Sequence, residues 1–302
     1  SFRGGLAAMG VKAGDRVAVI ADNRVEWAVG AYATYGLAAV YVPMYQKQNP
    51  KEWEYILNDC GAKLLLVANA DIAEKAAPFL DAVETLETII NFEDPTSYDA
   101  LLESGREHPA PIAEPASSEL CGLIYTSGTT GQPKGVKLSH GNICSNINAV
   151  MDVFPMEQTD RSLSFLPWAH SFGQTVELHC GLSFGASMAI VDDVLQLVPS
   201  LSEVKPSVLY SVPRVFNKIY DSINKKLAAA PEKRQKLFAM AMSVATEKRE
   251  LEEQGKSSLI LNIKHFIFDK LVFRKIRALL GGNLRYAFSG GAAISKEVAK
   301  FI

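Results

Sequence analysis

The stretch of this chain best equipped for chemistry reads Gly122-Leu-Ile-Tyr-Thr-Ser-Gly-Thr-Thr-Gly-Gln-Pro-Lys-Gly-Val-Lys-Leu-Ser-His140. Glycines at 128, 131 and 135 let the backbone turn tightly and bring its N–H groups close to an anion. Ser127, Thr129 and Thr130 add hydroxyl donors, and Lys134 adds a mobile positive charge. Such a loop suits a polyphosphate better than a neutral ligand. The bland reading, a polar surface hairpin, leaves three glycines and three hydroxyls beside Pro-Lys-Gly unexplained. It is not the Walker loop, which needs glycine before the lysine and serine or threonine after it. Here Pro133 precedes Lys134 and Gly135 follows, so the magnesium-binding hydroxyl of that pattern is missing.

The elements that must hold this loop are strand-like on both sides: GLIYT enters it and GVKLS leaves it. Upstream, strand and helix patterns alternate. Arg16 to Ile20 (RVAVI) is a buried-strand run, Asn23 to Leu37 has helical spacing, and Ala38 to Val42 is a strand ended by Pro43. Pro50 to Asp59 reads as a helix with Trp53, Ile56 and Leu57 on one face. Lys63 to Val67 (KLLLV) follows as a strand, and Asp71 to Thr85 as a helix. Downstream, Gly141 to Phe154 suits a helix, Ser187 to Val191 a strand, Val194 to Val204 a helix and Ser207 to Val212 a strand. Two long amphipathic helices come next, broken near Pro231 and ending around Gly255. This alternation predicts an α/β fold, with largely parallel sheets flanked by helices. Residues 104–118, rich in proline, serine and alanine, read as a connection between a first α/β portion, 1–103, and a portion carrying the loop, 119–302.

Apolar residues make up 48% and charged residues 21%, and the formal net charge is −2. That balance gives no electrostatic reason to expect a nucleic-acid partner. Cys60, Cys121, Cys144 and Cys180 form no metal-ligand spacing and read as reduced thiols of a cytoplasmic protein. Ser1 to Leu6 has no apolar run of a secretory leader. Val25 to Val42 is apolar, but Glu26, two glycines and the following Pro43 favour a buried helix running into a buried strand over a membrane span. The basic stretch Lys264 to Arg285, with Phe266, Phe268 and Phe273, has two readings: peripheral contact with a membrane surface, or a solvated helix face over a packed core. The second is the commoner fate of such helices.

Thr126 to Gly135, TSGTTGQPKG, resembles the signature loop of the adenylate-forming (AMP-binding) superfamily, which includes acyl-CoA synthetases, firefly luciferase and peptide-synthetase adenylation domains. Leu166-Pro-Trp-Ala-His170 resembles that superfamily's next motif, whose histidine lies beside the acyl site. Ser289-Gly-Gly-Ala-Ala293 resembles the stretch that lies along the adenine. Leu209-Tyr-Ser-Val-Pro-Arg-Val-Phe216, the long helical insertion after it, and Phe268-Asp-Lys-Leu-Val-Phe273 are most similar to long-chain fatty acid–CoA ligases.

The resemblance implies the superfamily's N-terminal domain, built of layered subdomains, with the C-terminal domain absent. It implies ATP-dependent activation of a fatty acid to the acyl-adenylate, then transfer to CoA, with Mg2+ accompanying ATP. Thr126, Ser127, Gly128, Thr129, Thr130, Gly131, Lys134 and Gly135 would bind phosphate, and Gly290, Gly291, Ala292 and Ala293 the adenine. Lys134, Thr130 and His170 would act in catalysis, with His170 ordering the site and no general-base role assigned to it. No protein metal ligand is assigned, and Trp168 reads as core. The tyrosine-glycine-x-threonine-glutamate motif, the ribose-binding aspartate and the small C-terminal domain with its lysine have no counterpart here. Both ends read as cut, so the chain is expected to be a fragment with little activity of its own. Two alternatives stay open: a ligase for a medium-chain, aryl or amino acid, and a non-catalytic nucleotide-binding module. No aspartate is identifiable in the role amino-acid activators give one, and the loop keeps every polar residue the chemistry asks for. Nothing in the sequence bears on oligomeric state.

Overall fold

The computed structural model describes residues 1–127, 131–191 and 196–301. Two compact units emerge, residues 1–157 with 165–185, and residues 158–164 with 186–302.

The first unit is built on a six-stranded sheet of β1 (Arg16–Ile20), β2 (Val40–Met44), β3 (Ala62–Val67), β4 (Thr88–Asn91), β5 (Leu120–Thr126) and β6 (Lys134–Ser139), in the order β4-β3-β1-β2-β5-β6. The pairings among β1 to β5 are parallel, and β6 returns antiparallel to β5. Continuous apolar runs suit this sheet because helices cover its strands; β2 is buried along its whole length. Val40, Val42, Leu65 and Val67 form one core with Trp53, Ile56 and Leu57 of the helix Pro50–Cys60. That helix starts at Asn49, whose side chain accepts from the Lys51 N–H, and stops at the left-handed Gly61.

Several elements differ from their sequence reading. β2 runs through Pro43, which lies opposite Val19 of β1. The Val40 N–H bonds to Asp15, so alternation turns the Pro43 nitrogen toward β5 instead. There the ladder has one matched pair, Tyr41 with Gly122, and a missing donor costs little. Residues 71–85 form two short helices, Ala70–Ala76 and Phe79–Ala82, because Pro78 has no N–H to continue the first. The helix Tyr98–Glu107 reaches into the stretch read as a connection. The helix Val25–Tyr35 is half-buried rather than buried, with Val25 exposed and Val29 and Tyr32 partly so. Among the described residues no helix is long and apolar enough to cross a membrane.

The second unit carries a four-stranded parallel sheet of β7 (Arg161–Ser164), β8 (Ser187–Ile190), β9 (Val208–Ser211) and β10 (Tyr286–Ser289), in the order β10-β9-β7-β8. The buried carboxylate of Asp160 ties its strands together. Ser207 Oγ donates to Asp160 at 2.6 Å and Arg285 Nη1 at 3.2 Å, so one side chain anchors the starts of β7, β9 and β10. Helices Leu197–Val204, Pro213–Ala228 and Glu232–Glu253 follow the expected order, with the break at Pro231. The start of the helix read from Val194 falls at residues outside those described.

Candidate functional site

β5 and β6 form a hairpin whose last matched pair is Thr126 with Lys134, so the loop springs from two positions held across one ladder. β5 is buried from Cys121 to Tyr125, and β6 is the sheet's edge strand, carrying Lys134 and Lys137 toward solvent. Gly131 takes φ +90°, a backbone state that side-chain-bearing residues rarely adopt. At Gly135 the requirement is space: a Cβ there would sit 3.0 Å from the Tyr125 ring. That ring has little room to give, because its hydroxyl donates to Asp59 at 2.5 Å. Burial, and secondarily the Asp59 carboxylate, push the Tyr125 phenol well above its ordinary pKa.

Because β2 and β5 are parallel neighbours, both end on the same edge of the sheet, and the chain beyond each end helps enclose a cleft of about 340 Å3. Ile124 to Ser127 and Pro133 form one wall, Tyr45, Gln48 and Glu52 another, and His170 with Ser171 a third. Crevices beyond the carboxyl ends of parallel strands are where open α/β sheets hold ligands. Among the described residues the lining offers hydroxyls, an amide, an imidazole and one carboxylate, Glu52. Lys134 stands next to the lining residue Pro133 and is exposed.

His170 is held by the turn it sits in. Its N–H bonds to Pro167 at 3.0 Å, and its carbonyl accepts from Gln174 at 2.9 Å. The Phe172 N–H donates to Nδ1 at 3.1 Å. A ring nitrogen that accepts a hydrogen bond carries no proton, so in the neutral ring the proton lies on Nε2. The turn is pinned from behind by Asn23, which is buried. Its Nδ2 donates to the Leu166 carbonyl and its Oδ1 accepts from the Trp168 N–H, both at 2.8 Å. Trp168 is core, 1% exposed, its ring edge-on to Trp27 at 5.5 Å.

The described geometry therefore joins Thr126 and Ser127 with His170 in one cleft, with Lys134 and Gly135 at the mouth of the hairpin. Gly128, Thr129 and Thr130 lie outside the described residues. Gly290, Gly291, Ala292 and Ala293 belong to the second unit and follow the carboxyl end of β10. There the Gly290 N–H bonds to the Ser211 carbonyl at 3.0 Å, and Gly291 takes φ +76°. Sequence reasoning passed over Tyr45, Gln48, Glu52 and Asn23. The first three carry no local signal, because they meet the loop only through the β2–β5 pairing. Among the described residues no group of three or more His, Cys, Asp or Glu side chains is arranged to hold a metal ion.

Comparison with known proteins decides the family, for the AMP-binding enzyme family matches residues 1–302. The chain belongs to the AMP-binding enzymes. It is 35% identical to the long-chain-fatty-acid–CoA ligase FadD15 of Mycobacterium tuberculosis, covering 98% of this chain and 50% of that protein. To the peroxisomal long chain acyl-CoA synthetase 7 of Arabidopsis thaliana it is 31% identical, covering 99% and 43%. The chain thus spans about half the length of the curated relatives it matches. Among solved structures, the inhibitor-bound N-terminal domain of FACL13 from Mycobacterium tuberculosis superposes with a TM-score of 0.68 over 99% of this chain and 62% of that one. The identity is 22%, a likeness of fold. The α/β architecture is that of the N-terminal domains of adenylate-forming enzymes.

Proposed function

We propose that this AMP-binding chain is the nucleotide- and acyl-binding part of a long-chain fatty acid–CoA ligase. The observation that carries the reading is the single cleft in which the start of the phosphate loop, Thr126 and Ser127, faces the His170 turn. In such a reaction the fatty carboxylate attacks the α-phosphorus of ATP, pyrophosphate leaves with the bonding pair, and the CoA thiolate later displaces AMP. Attack at phosphorus is chiefly a matter of positioning and of neutralising charge on the leaving group. Lys134 and the loop hydroxyls and amides suit the second task, sharing it with the magnesium that accompanies ATP as substrate. His170, with Nδ1 occupied by the Phe172 N–H, suits the first through Nε2 as a donor toward a carboxylate or phosphate oxygen. Gly290 to Ala293 are assigned to the adenine, following the motif resemblance given above. A long-chain acid is favoured by the names of the relatives at 31% and 35% identity.

The test of substrate class is exchange of labelled pyrophosphate into ATP by the protein at its full natural length, with palmitate, octanoate, benzoate and several amino acids supplied in turn. Exchange dependent on palmitate above the other acids supports the reading. Exchange led by benzoate or an amino acid would move the enzyme to another branch of the family, and none with any acid would leave a nucleotide-binding module.

A further inference from the structure

In the second unit the helix Leu259–Phe268 turns its apolar side outward. Leu259 is 77% exposed and Ile260 68%, and Ile263, Phe266 and Ile267 are each about half exposed. At 100° per residue these five fall within an arc of about 120°. On the opposite side Leu261 is buried, and His265 and Phe268 are partly covered, the His265 ring lying 5.9 Å from Phe273. The helix is therefore seated by its back, with its apolar stripe left over. Leu271, in the π-helical segment Asp269–Phe273, extends the stripe. The neighbouring helix Glu232–Glu253 behaves as a surface helix should: Met240 is the one large apolar side chain it exposes.

Charge says what the stripe fits. Residues 256–275 hold Lys256, Lys264, Lys270, Arg274 and Lys275 against a single acid, Asp269. That acid is already engaged, gripped by both terminal nitrogens of Arg277 at 2.7 and 2.8 Å. Lys270 lies over the Phe266 ring at 4.4 Å, a long stem lying against the stripe with its ammonium at the border. Cores of protein–protein interfaces are depleted in lysine, whereas helices that lie in the plane of a membrane pair a narrow apolar face with lysine-rich flanks. Ten residues rise only about 15 Å, too short to span a bilayer and enough to lie in its surface.

We propose that Leu259 to Leu271 is a docking strip for a bilayer surface bearing anionic lipid headgroups. The apolar stripe enters the acyl boundary while the five cations meet the headgroups. The proposal stands apart from the reading of the cleft, since it concerns other residues and needs no particular reaction.

Co-sedimentation of the full-length protein with vesicles tests it, using phosphatidylcholine alone and phosphatidylcholine mixed with phosphatidylglycerol. The protein should pellet with the anionic vesicles and be released by high salt. A double variant, Ile263→Asp with Phe266→Asp, should lose partition on the order of tenfold or more. Its circular dichroism melt should stay unchanged, since both side chains face outward, and Met240→Asp should bind as the parent does. A second measurement guards against loss of fold. In Ile267→Cys, set against the exposed native Cys144, the new thiol should react with a water-soluble maleimide and become protected when anionic vesicles are added. Failure to pellet, or equal pelleting by the double variant, would overturn the proposal. So would a thiol that is unreactive before vesicles are added, which would mean that protein covers the stripe. Pyrophosphate exchange measured without vesicles reports on the cleft alone and separates the two failures.

Discussion

A backbone N–H donating to Nδ1 settles which proton His170 has to offer, and a buried asparagine settles where its turn is held. The two residues therefore make different predictions. His170→Ala removes a donor without disturbing the core, since the ring is exposed. It is expected to lower kcat/KM for the acid by about tenfold to a hundredfold, the worth of a hydrogen bond to a charged oxygen, with an unchanged melting temperature. Asn23→Ala should show the opposite pattern. It strands the Leu166 carbonyl and the Trp168 N–H in a buried place, which costs about 1–3 kcal/mol for each. Denaturant unfolding should reveal that loss, and activity should fall with it because the His170 turn is no longer held. Of the two, His170 was legible because it sits in a motif, whereas Asn23 acts across more than 140 residues of chain and leaves no local mark.

Within the first unit, the helix Val25–Tyr35 and the π-helical segment Gly173–His179 meet through aromatic rings. The Tyr32 hydroxyl lies 2.9 Å from His179 Nδ1, and the Tyr32 and Tyr35 rings lie 5.6 and 6.0 Å from the His179 ring. Burial there pushes the His179 imidazole down to about 4. The unfolded chain binds a proton near pH 6.5 that the native chain refuses until about pH 4, so over that interval the unfolded state holds more protons and stability rises with pH. Stability is thus fully present above about pH 6.5 and falls by about 3 kcal/mol as the solution is taken down to about pH 4. Denaturant midpoints measured across that range should show the slope, and His179→Phe should flatten it. A slope unchanged in the variant would place the titration elsewhere. The segment's wide helical turn was not foreseen, for nothing in GQTVELH distinguishes it locally from an α-helix. RVAVI and KLLLV, by contrast, were plain because strands of a covered parallel sheet are apolar on both faces. TIIN of β4 is only four residues long and went unread, and Pro43 misled because a rule about missing donors depends on which neighbour the nitrogen faces.

For the whole molecule, the parallel alternation was legible from pattern alone and the family from one loop, yet the cleft was only half visible. Its loop wall is written in consecutive residues. Its other wall, Tyr45, Gln48 and Glu52, follows from sheet order, since β2 and β5 become neighbours across about 80 residues that contain β3 and β4. The central claim is that this cleft and its loop manage the phosphates of ATP. Its most direct test compares the full-length protein with Lys134→Ala in palmitate-dependent exchange of labelled pyrophosphate into ATP. Lys134 is exposed at the edge of the sheet, so its loss should leave folding intact. On the proposed reading Lys134 supplies a point charge to the leaving pyrophosphate, and its removal is expected to lower exchange on the order of a hundredfold while the melting temperature holds. Exchange by Lys134→Ala at the parent's rate, in a folded protein, would contradict the claim and move the phosphate site away from this loop.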